Sequence, residues 1–502
     1  MPYLETPILD SQDFFCFDLP TKPLPGTGKI LVTGASGYIG GRLVSELLAR
    51  GYQVRVMVRG ASAVNRSLWP DAELAVADAT NLDQLRQAFE GIDTAYYLIH
   101  SLRLGPKEFQ MADIQAAAVF RTAAEEKEIK RIIYLGGLGD IRNPLSPHLR
   151  NRIAVSDELK KGRTFLTVLR AAIIIGSGSA SYEIIQHLIK KLPIIFVPPW
   201  AKNRCQPIGI RDVIKYLVGC LEVPETSGRD FDIGGQDILT YEQMLKVLSR
   251  ILDSKTLFIP FFFSYLRFYT YLVSLLTPVP NMITQCLMEG LKNEVIVLDD
   301  SIKKLIPFEP ISYREAIIRA MSREEQDRVH TRWSDAYPPA HVLALKLHEL
   351  HGQVAFGARY SLLTEKGSSV LFQSICRIGG KEGWFHSNWM WRTRGMLDRI
   401  LLGVGSIRGR KSHTYLAIND VVDFWRVEDL KPAERLLLRA EMKLPGKAWL
   451  EFHIREEEGR RKLSVVTYFD THTLLGKLYW YIFLPFHYFI FRNLIKEIEK
   501  RS

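Results

Sequence analysis

Cysteine chemistry is what this chain most plainly lacks: Cys16, Cys205, Cys220, Cys286 and Cys376 form no CxxC and no ligand-like cluster. That speaks against a disulfide framework and against a zinc ribbon, and for a reducing compartment, the cytoplasm. Residues 1–28 contain Asp10, Asp13 and Asp18 but no basic segment leading into an apolar core, so no signal peptide is read there. A clean hydrophobic run is missing too. The best, Leu257–Leu276, approaches the roughly 20 residues that cross a bilayer, but Pro260 and Arg267 interrupt it and its tyrosines are scattered through it. It reads as a buried or membrane-touching helix, which allows peripheral contact with the inner face of a membrane. The net charge of +11, of which residues 333–502 carry +8, comes without any nucleic-acid recognition motif and with basic and acidic residues interleaved. No nucleic-acid partner is expected.

What is present is material for several domains: 502 residues, 47% hydrophobic and 24% charged. From Lys29 onward, short β-branched runs (Lys29–Thr33, Gln53–Arg59, Glu73–Ala77, Thr94–Ile99, Arg131–Leu135, and Thr167–Leu169 reading on to Ile175) alternate with amphipathic stretches. The latter are Gly40–Arg50, Leu82–Glu90, Met111–Glu128 and Ala154–Lys161. Parallel strands need crossovers, so the rhythm predicts an α/β, Rossmann-type doubly wound parallel sheet. Phe231–Gly235 and a helix from Thr240 to about Leu252 extend it. A charged stretch with prolines, Ser322–Pro339, reads as a linker. Beyond it Val421–Val427, Arg435–Lys443, Ala448–Arg455 and Lys462–Asp470 form an antiparallel meander with Pro445-Gly446 and Glu458-Gly459 at turns, flanked by helices at Asn388–Leu402 and Leu474–Glu499. The expected division is 1–28 as an N-terminal extension, 29–252 as a nucleotide-binding domain, 253–332 as substrate-domain helices and linker, and 333–502 as a separate α+β domain.

The first strand runs straight into Thr33-Gly34-Ala35-Ser36-Gly37-Tyr38-Ile39-Gly40 and then a helix. Glycines so spaced let the backbone turn tightly, approach a pyrophosphate at a helix N-terminus, and pack helix against strand. The second strand closes on Arg59-Gly60, where an acid would accept from ribose hydroxyls. A cation there favours a 2′-phosphate, hence NADP(H) in preference to NAD(H). Asp78 and Ala79, after the third strand, are placed at the adenine edge, and Leu98 and His100, ending the fourth, along the cofactor towards the nicotinamide.

The TGxxGxxG loop, with Tyr96–Ser101 (YYLIHS), Tyr134–Leu138 (YLGGL), Gln206–Val213 (QPIGIRDV) and Phe231–Gly235 (FDIGG), resembles the atypical short-chain dehydrogenases of the extended, NmrA-like type. Arg394–Asp398, Asp423–Glu428, Glu441–Leu450 and Tyr479-Trp480 are similar to the C-terminal domain of unknown function fused to such a domain in one bacterial branch. The resemblance and the meander together imply a START-like, helix-grip fold for the second domain. They also imply an NAD(P)-dependent oxidoreductase acting on a bulky apolar, lipid- or quinone-like substrate. The family is also similar to the accessory dinucleotide-binding subunit of respiratory complex I, so a non-catalytic NADPH-binding sensor or assembly protein with a protein partner stays open, as does a membrane-associated lipid handler.

The family's chemistry uses Ser, Tyr and Lys, with tyrosine exchanging a proton as hydride moves. None of the twenty tyrosines here is followed by lysine four residues on, the serine position reads Gly136-Gly137, and His148-Leu149-Arg150-Asn151-Arg152 stands where YxxxK is expected. Either His148 moves the proton near neutrality, with Arg152 holding ribose or phosphate, or this catalytic route is lost and the cofactor is only bound. A third role for His148, capping or packing at the helix start, belongs with the second. Other constellations are weaker. His341, His348 and His351 lack a metal motif, and no metal is expected; Asp398 with Arg394 and Arg399 reads as an ion-pair cluster; Trp384, Trp389, Trp391, Trp425 and Trp449 line a pocket or fill a core.

Overall fold

The computed structural model describes residues 14–59, 69–100, 108–139, 142, 144–325, 332–335, 347, 355–380, 382–406, 408, 410, 416–418, 420–457 and 459–502. The chain forms two compact units, one built mainly of residues 5–277 and 282–340, the other mainly of 341–502.

The first unit centres on a seven-stranded parallel sheet. Its strands are β1 (Lys29–Val32), β2 (Val54–Val58), β3 (Glu73–Val76), β4 (Ile92–Tyr97), β5 (Arg131–Gly137), β6 (Phe165–Ala171) and, past several shorter strands, Asp230–Ile233 at the edge. The order, from that edge, is Asp230–Ile233, β6, β5, β4, β1, β2, β3. Side chains alternate across each strand, so Ile30 and Val32 enter one core with Val54, Val56 and Val58, while Leu31 enters the other with Met57. Both faces are covered by helices, as a parallel sheet requires. The crossovers include α1 (Tyr38–Ala49), α2 (Leu82–Ala88), α3 (Glu108–Glu126) and α4 (Pro147–Lys160). The chain winds outward in both directions from β1 and β4, which leaves a crevice at the carboxyl ends of those two strands.

Helix α4 begins seven residues ahead of the predicted Ala154, because Ser146 caps it by accepting from Leu149 N and Pro147 presets its first turn. The early start puts His148 and Arg152 on one helix face. The N-terminal segment is tied down too: Phe15, Cys16 and Leu19 join the core beside α1, and Asp18 pairs with Arg211 and Lys215.

Beyond β6 come β7 (Ile174–Ile175), α5 (Ala180–Lys191), β8 (Ile194–Val197), two two-residue strands β9 (Arg204–Cys205) and β10 (Ile208–Gly209), and α6 (Ile210–Glu222). The edge strand Asp230–Ile233 is β11, followed by β12 (Leu239–Thr240) and α7 (Tyr241–Ile251), whose Thr240 and Gln243 form a reciprocal capping box. Leu257–Leu276 is not one helix. It is strand β13 (Leu257–Pro260), whose Pro260 sits opposite Val197 at the strand end, a phenylalanine loop, and helix α8 (Leu266–Leu276). No helix among the described residues is long and apolar enough to cross a membrane.

In the second unit, β14 (Phe356–Thr364), β15 (Val421–Val422), β16 (Trp425–Lys431), β17 (Arg435–Ala440), β18 (Lys447–Glu457) and β19 (Arg460–Asp470) make an antiparallel sheet in the order β14-β19-β18-β17-β16-β15. The predicted strand Val421–Val427 is two, turned at Asp423 (φ 55°). The C-terminal helix Leu474–Arg501 lays Phe491, Leu494, Ile495 and Ile498 on Leu436, Leu438, Leu450 and Val465 of the sheet. Trp384, Trp391 and Trp425 belong to this core and Trp449 is buried, with Trp384 Nε1 donating to Asp423 and Trp449 Nε1 to Glu428; Trp389 is exposed. The four buried tryptophans are packing material. Asp398 pairs with Arg394 across 3.6 Å and accepts from the backbone N–H of Gly405 and Lys443, so it fastens a turn, while Arg399 donates to the Gly403 carbonyl.

Candidate functional site

A cavity of about 780 Å³ opens along the crevice, walled by Gly34, Ser36, Gly37, Tyr38, Ile39 and Gly40 at one end. Gly34 has φ +66°, and a Cβ there would stand 2.6 Å from the Leu98 carbonyl oxygen. A Cβ on Gly40 would stand 2.4 Å from the Gly34 oxygen. Only glycine satisfies either position, and the result is a backbone held open at the start of α1, where unpaired N–H groups and the helix dipole attract anions. Thr33 Oγ1 clamps β1 to β4 by donating to the Tyr96 carbonyl, with Leu98 N reaching back to it at 3.3 Å.

Arg59 and Ala79 line the same cavity. Burial lowers the Arg59 guanidinium to about 10, with Asp78 acting against that, so it stays charged at neutral pH. Asp78 itself is not in the wall. Its Oδ1 accepts from the Thr80 N–H and hydroxyl over 2.8 and 2.6 Å, which holds the turn after β3.

Leu98, His100, His148 and Arg152 line the same cavity. The two imidazoles lie 5.2 Å apart, ring centre to ring centre. His100 Nδ1 is 2.9 Å from Asp113 Oδ2, an oxygen that also accepts from Asn151 Nδ2 at 3.0 Å. An ionised Asp113 makes Nδ1 the protonated nitrogen of His100 and leaves a lone pair on its buried Nε2. Arg152 donates to the Leu135 carbonyl and stacks over the Tyr134 ring at 4.9 Å. Part of that guanidinium is therefore engaged by β5. Its other terminal nitrogen, Nη1, and His148 Nδ1 are buried with no protein partner among the described residues. A buried donor left unmade costs roughly 1–3 kcal/mol, so these atoms fit a polar ligand group beside them.

The expectation that His148 titrates near neutrality is corrected by its surroundings. Burial, then the neighbouring His100 and Arg152, hold its pKa well below the ordinary value, and burial with Arg152 lowers His100 as well. Both rings are neutral at pH 7. Nor does His148 cap the helix, since Ser146 does.

Away from the cofactor loop the walls are almost wholly apolar, drawn from α5, β8, α7, α8 and the helix Asn281–Gly290 (α9): Leu188, Ile195, Met244, Leu272, Cys286 and Leu291 are representative. Motif reading missed Asp113, Asn151 and this apolar wall. Asp113 stands on a different element from the histidine it supports and belongs to no motif; the wall is composed of segments far apart in sequence. His341, His348 and His351 lie outside the described residues, and among the described ones no group of His, Cys, Asp and Glu could hold a metal.

Comparison with known proteins agrees with this geometry at the level of the domain. Residues 34–174 match the family described as NAD(P)H-binding, and residues 350–494 the family described as a protein of unknown function, DUF2867. Residues 34–174 of the first unit thus belong to an NAD(P)H-binding domain of Rossmann type, and the second unit carries the DUF2867 domain. Similar curated proteins include the photosystem II assembly factor Ycf39 of Trieres chinensis, 24% identical over 41% of this chain and 64% of its own length. Another is the mitochondrial NADH dehydrogenase (ubiquinone) 1 alpha subcomplex subunit 9 of Arabidopsis thaliana, 24% identical over 43% and 56%. A third is the 4-hydroxy-2-methyl-3-oxo-4-farnesyl-3,4-dihydroquinoline-1-oxide ketoreductase of Stigmatella aurantiaca, 28% identical over 21% and 33%. The chain spans between a third and two thirds of the length of these relatives.

Proposed function

We propose that the protein is an NADP(H)-dependent reductase of a bulky, apolar carbonyl compound, lipid- or quinone-like, working without the Ser–Tyr–Lys set. The observation that carries this is continuity: one cavity is lined by the glycine loop, by His148 and Arg152, and by an apolar chamber. The glycine cradle and α1 N-terminus fit a pyrophosphate, and the charged Arg59 fits the 2′-phosphate that distinguishes NADPH. When bound, the nicotinamide supplies a hydride to the carbonyl carbon.

The chain's own contribution is to hold the substrate oxygen and balance its charge. A neutral His148 donates a hydrogen bond to that oxygen as negative charge develops, and the Arg152 guanidinium adds a fixed positive charge close by. The Asp113–His100 pair fixes the ring packed beside His148. The proton that completes the alcohol comes from solvent through the imidazoles. The apolar walls exclude water and bind the remainder of the substrate. A farnesylated substrate in the name of one similar ketoreductase is consistent with a chamber of this character.

A second reading has its own support: Arg152 is partly committed to Leu135 O, and two similar proteins are an assembly factor and a respiratory-complex subunit. In that reading the domain holds NADPH without turning it over and serves a protein partner. One experiment separates them. The purified protein loaded with NADPH is mixed with prenylated ketones and quinones, and loss of NADPH absorbance is followed. Turnover of any of these compounds supports the reductase; tightly held NADPH with no turnover across the series overturns it in favour of the binding role.

A further inference from the structure

We propose that the mouth of this cavity docks on an anionic lipid bilayer, so that the substrate passes into the chamber from hydrocarbon rather than from water. The inference rests on reading the chamber as the substrate site. Strands β8 and β13 pair in parallel, Ile194 opposite Leu257 and Phe196 opposite Ile259, as an isolated two-stranded ribbon. Ile195 and Val197 point inward and are buried, whereas Ile194, Phe196 and Leu257 are exposed. Ile194 and Phe196 also line the cavity, so the same side chains are both wall and rim.

Aromatic rings continue the rim. Phe196 touches Phe261 (5.1 Å between centroids); Phe263 touches Phe268 (5.5 Å), Phe268 touches Tyr269 (5.9 Å), and Tyr269 meets Trp200 (5.4 Å). Tyr269 and Trp200 are again cavity wall. Phe262, at the tip of the loop, is 87% exposed. A single exposed phenylalanine is ordinary, but a contiguous aromatic collar around the opening of an apolar chamber is not.

Charge selects the occupant. Residues 188–200 and 254–276, which carry the collar, contain no Asp or Glu but include Lys190, Lys191, Lys255 and Arg267, all exposed. Apolar rings on segments that also expose Lys190, Lys255 and Arg267 match a surface with anionic headgroups over hydrocarbon. A second copy of the chain meeting this patch about a two-fold axis would set the same cations against one another.

The test is co-sedimentation of the full-length protein with vesicles of phosphatidylcholine, with and without phosphatidylglycerol, in the absence of substrate. Binding to the anionic vesicles is expected, weakened by salt. Phe262→Ser with Phe263→Ser should lower it about tenfold or more, and Lys190→Glu with Lys255→Glu should abolish the preference for phosphatidylglycerol, while NADPH binding is unchanged in both. Neither pair lies in the wall of the cavity, and the charge pair serves if the aromatic pair fails to fold. No sedimentation, equal binding to both vesicle types, or a dimer that the Phe262→Ser and Phe263→Ser changes dissociate would overturn the proposal. Vesicle binding is read without turnover, so a protein that binds vesicles but reduces nothing refutes the reductase and leaves the docking standing.

Discussion

At the scale of single residues, two side chains in the cavity have separable tasks. Arg59 lines the cavity and is proposed to meet the 2′-phosphate, so Arg59→Asp should reverse a preference for NADPH over NADH, by about tenfold or more in each direction. Calorimetry with both nucleotides checks this, and equal affinities in the unmodified protein would remove the argument. His148 differs because its neutral ring is proposed to act on the substrate oxygen. His148→Phe keeps the packing against His100 and removes the hydrogen-bonding nitrogens. Turnover should fall about 10²–10⁴-fold with NADPH affinity nearly intact. Both imidazoles are held neutral by burial, so the rate should also show no inflection near pH 6.5 and decline only in more acidic solution. A full-strength His148→Phe enzyme would show that the helix merely occupies the place where the family keeps its tyrosine.

At the scale of elements, the tightest local constraint is the junction of β1 and α1. Gly40→Val would drive side-chain atoms into the Gly34 carbonyl and the Ala35 Cα, prising the helix from the strand at the point where phosphate is to be held. Nucleotide binding should be lost while the second unit melts unchanged, which calorimetry and a melting scan together report. This junction was legible in the sequence because strand, loop and helix are consecutive, and a consecutive motif keeps its spacing in the fold. The meander β16–β19 was legible for the same reason, its turns lying between neighbours. Strand β14 was not: it pairs with β19 about a hundred residues later, Phe356 opposite Phe469, and no hairpin signal spans that distance. The start of α4 was obscured by the polar run His148–Arg152, whose amphipathic pattern is weak, although Ser146-Pro147 is a recognisable cap. Asp113 and the apolar chamber escaped altogether. Asp113 lies on α3 and reaches His100 and Asn151 on other segments, and the chamber is assembled from α5, β8, α7, α8 and α9, so neither leaves a periodicity in the sequence.

At the scale of the molecule, buried histidines in both units tie stability to pH. Burial pushes His187, in the first unit, and His487, in the second, down to about 4, and lowers His100, His148 and His453 as well. A histidine depressed in the folded state takes its proton first in the unfolded chain, so stability is full above about pH 6.5 and declines as the pH falls towards the folded value. Asp212 and Asp423 work in the opposite sense, since burial raises each to about 6 and the folded state gains their protons as the solution is acidified. The aspartates begin to take up protons in the folded chain just above pH 6, where the unfolded histidines are still filling, so they offset part of the histidine effect throughout. The histidines are the more numerous, so the melting temperature should fall as the solution is acidified from about pH 7 towards pH 5. His487 offers the cleanest check, because its Nδ1 is buried without a protein partner among the described residues. Replacing it by leucine removes the group that resists protonation. At pH 5 the second unit of His487→Leu should gain up to about 2 kcal/mol relative to its own advantage or deficit at pH 7.5, measured by denaturant melts at both values. A difference between the two proteins that is the same at pH 5 and pH 7.5 would show that the imidazole is solvated in the folded chain and that burial does not govern its proton.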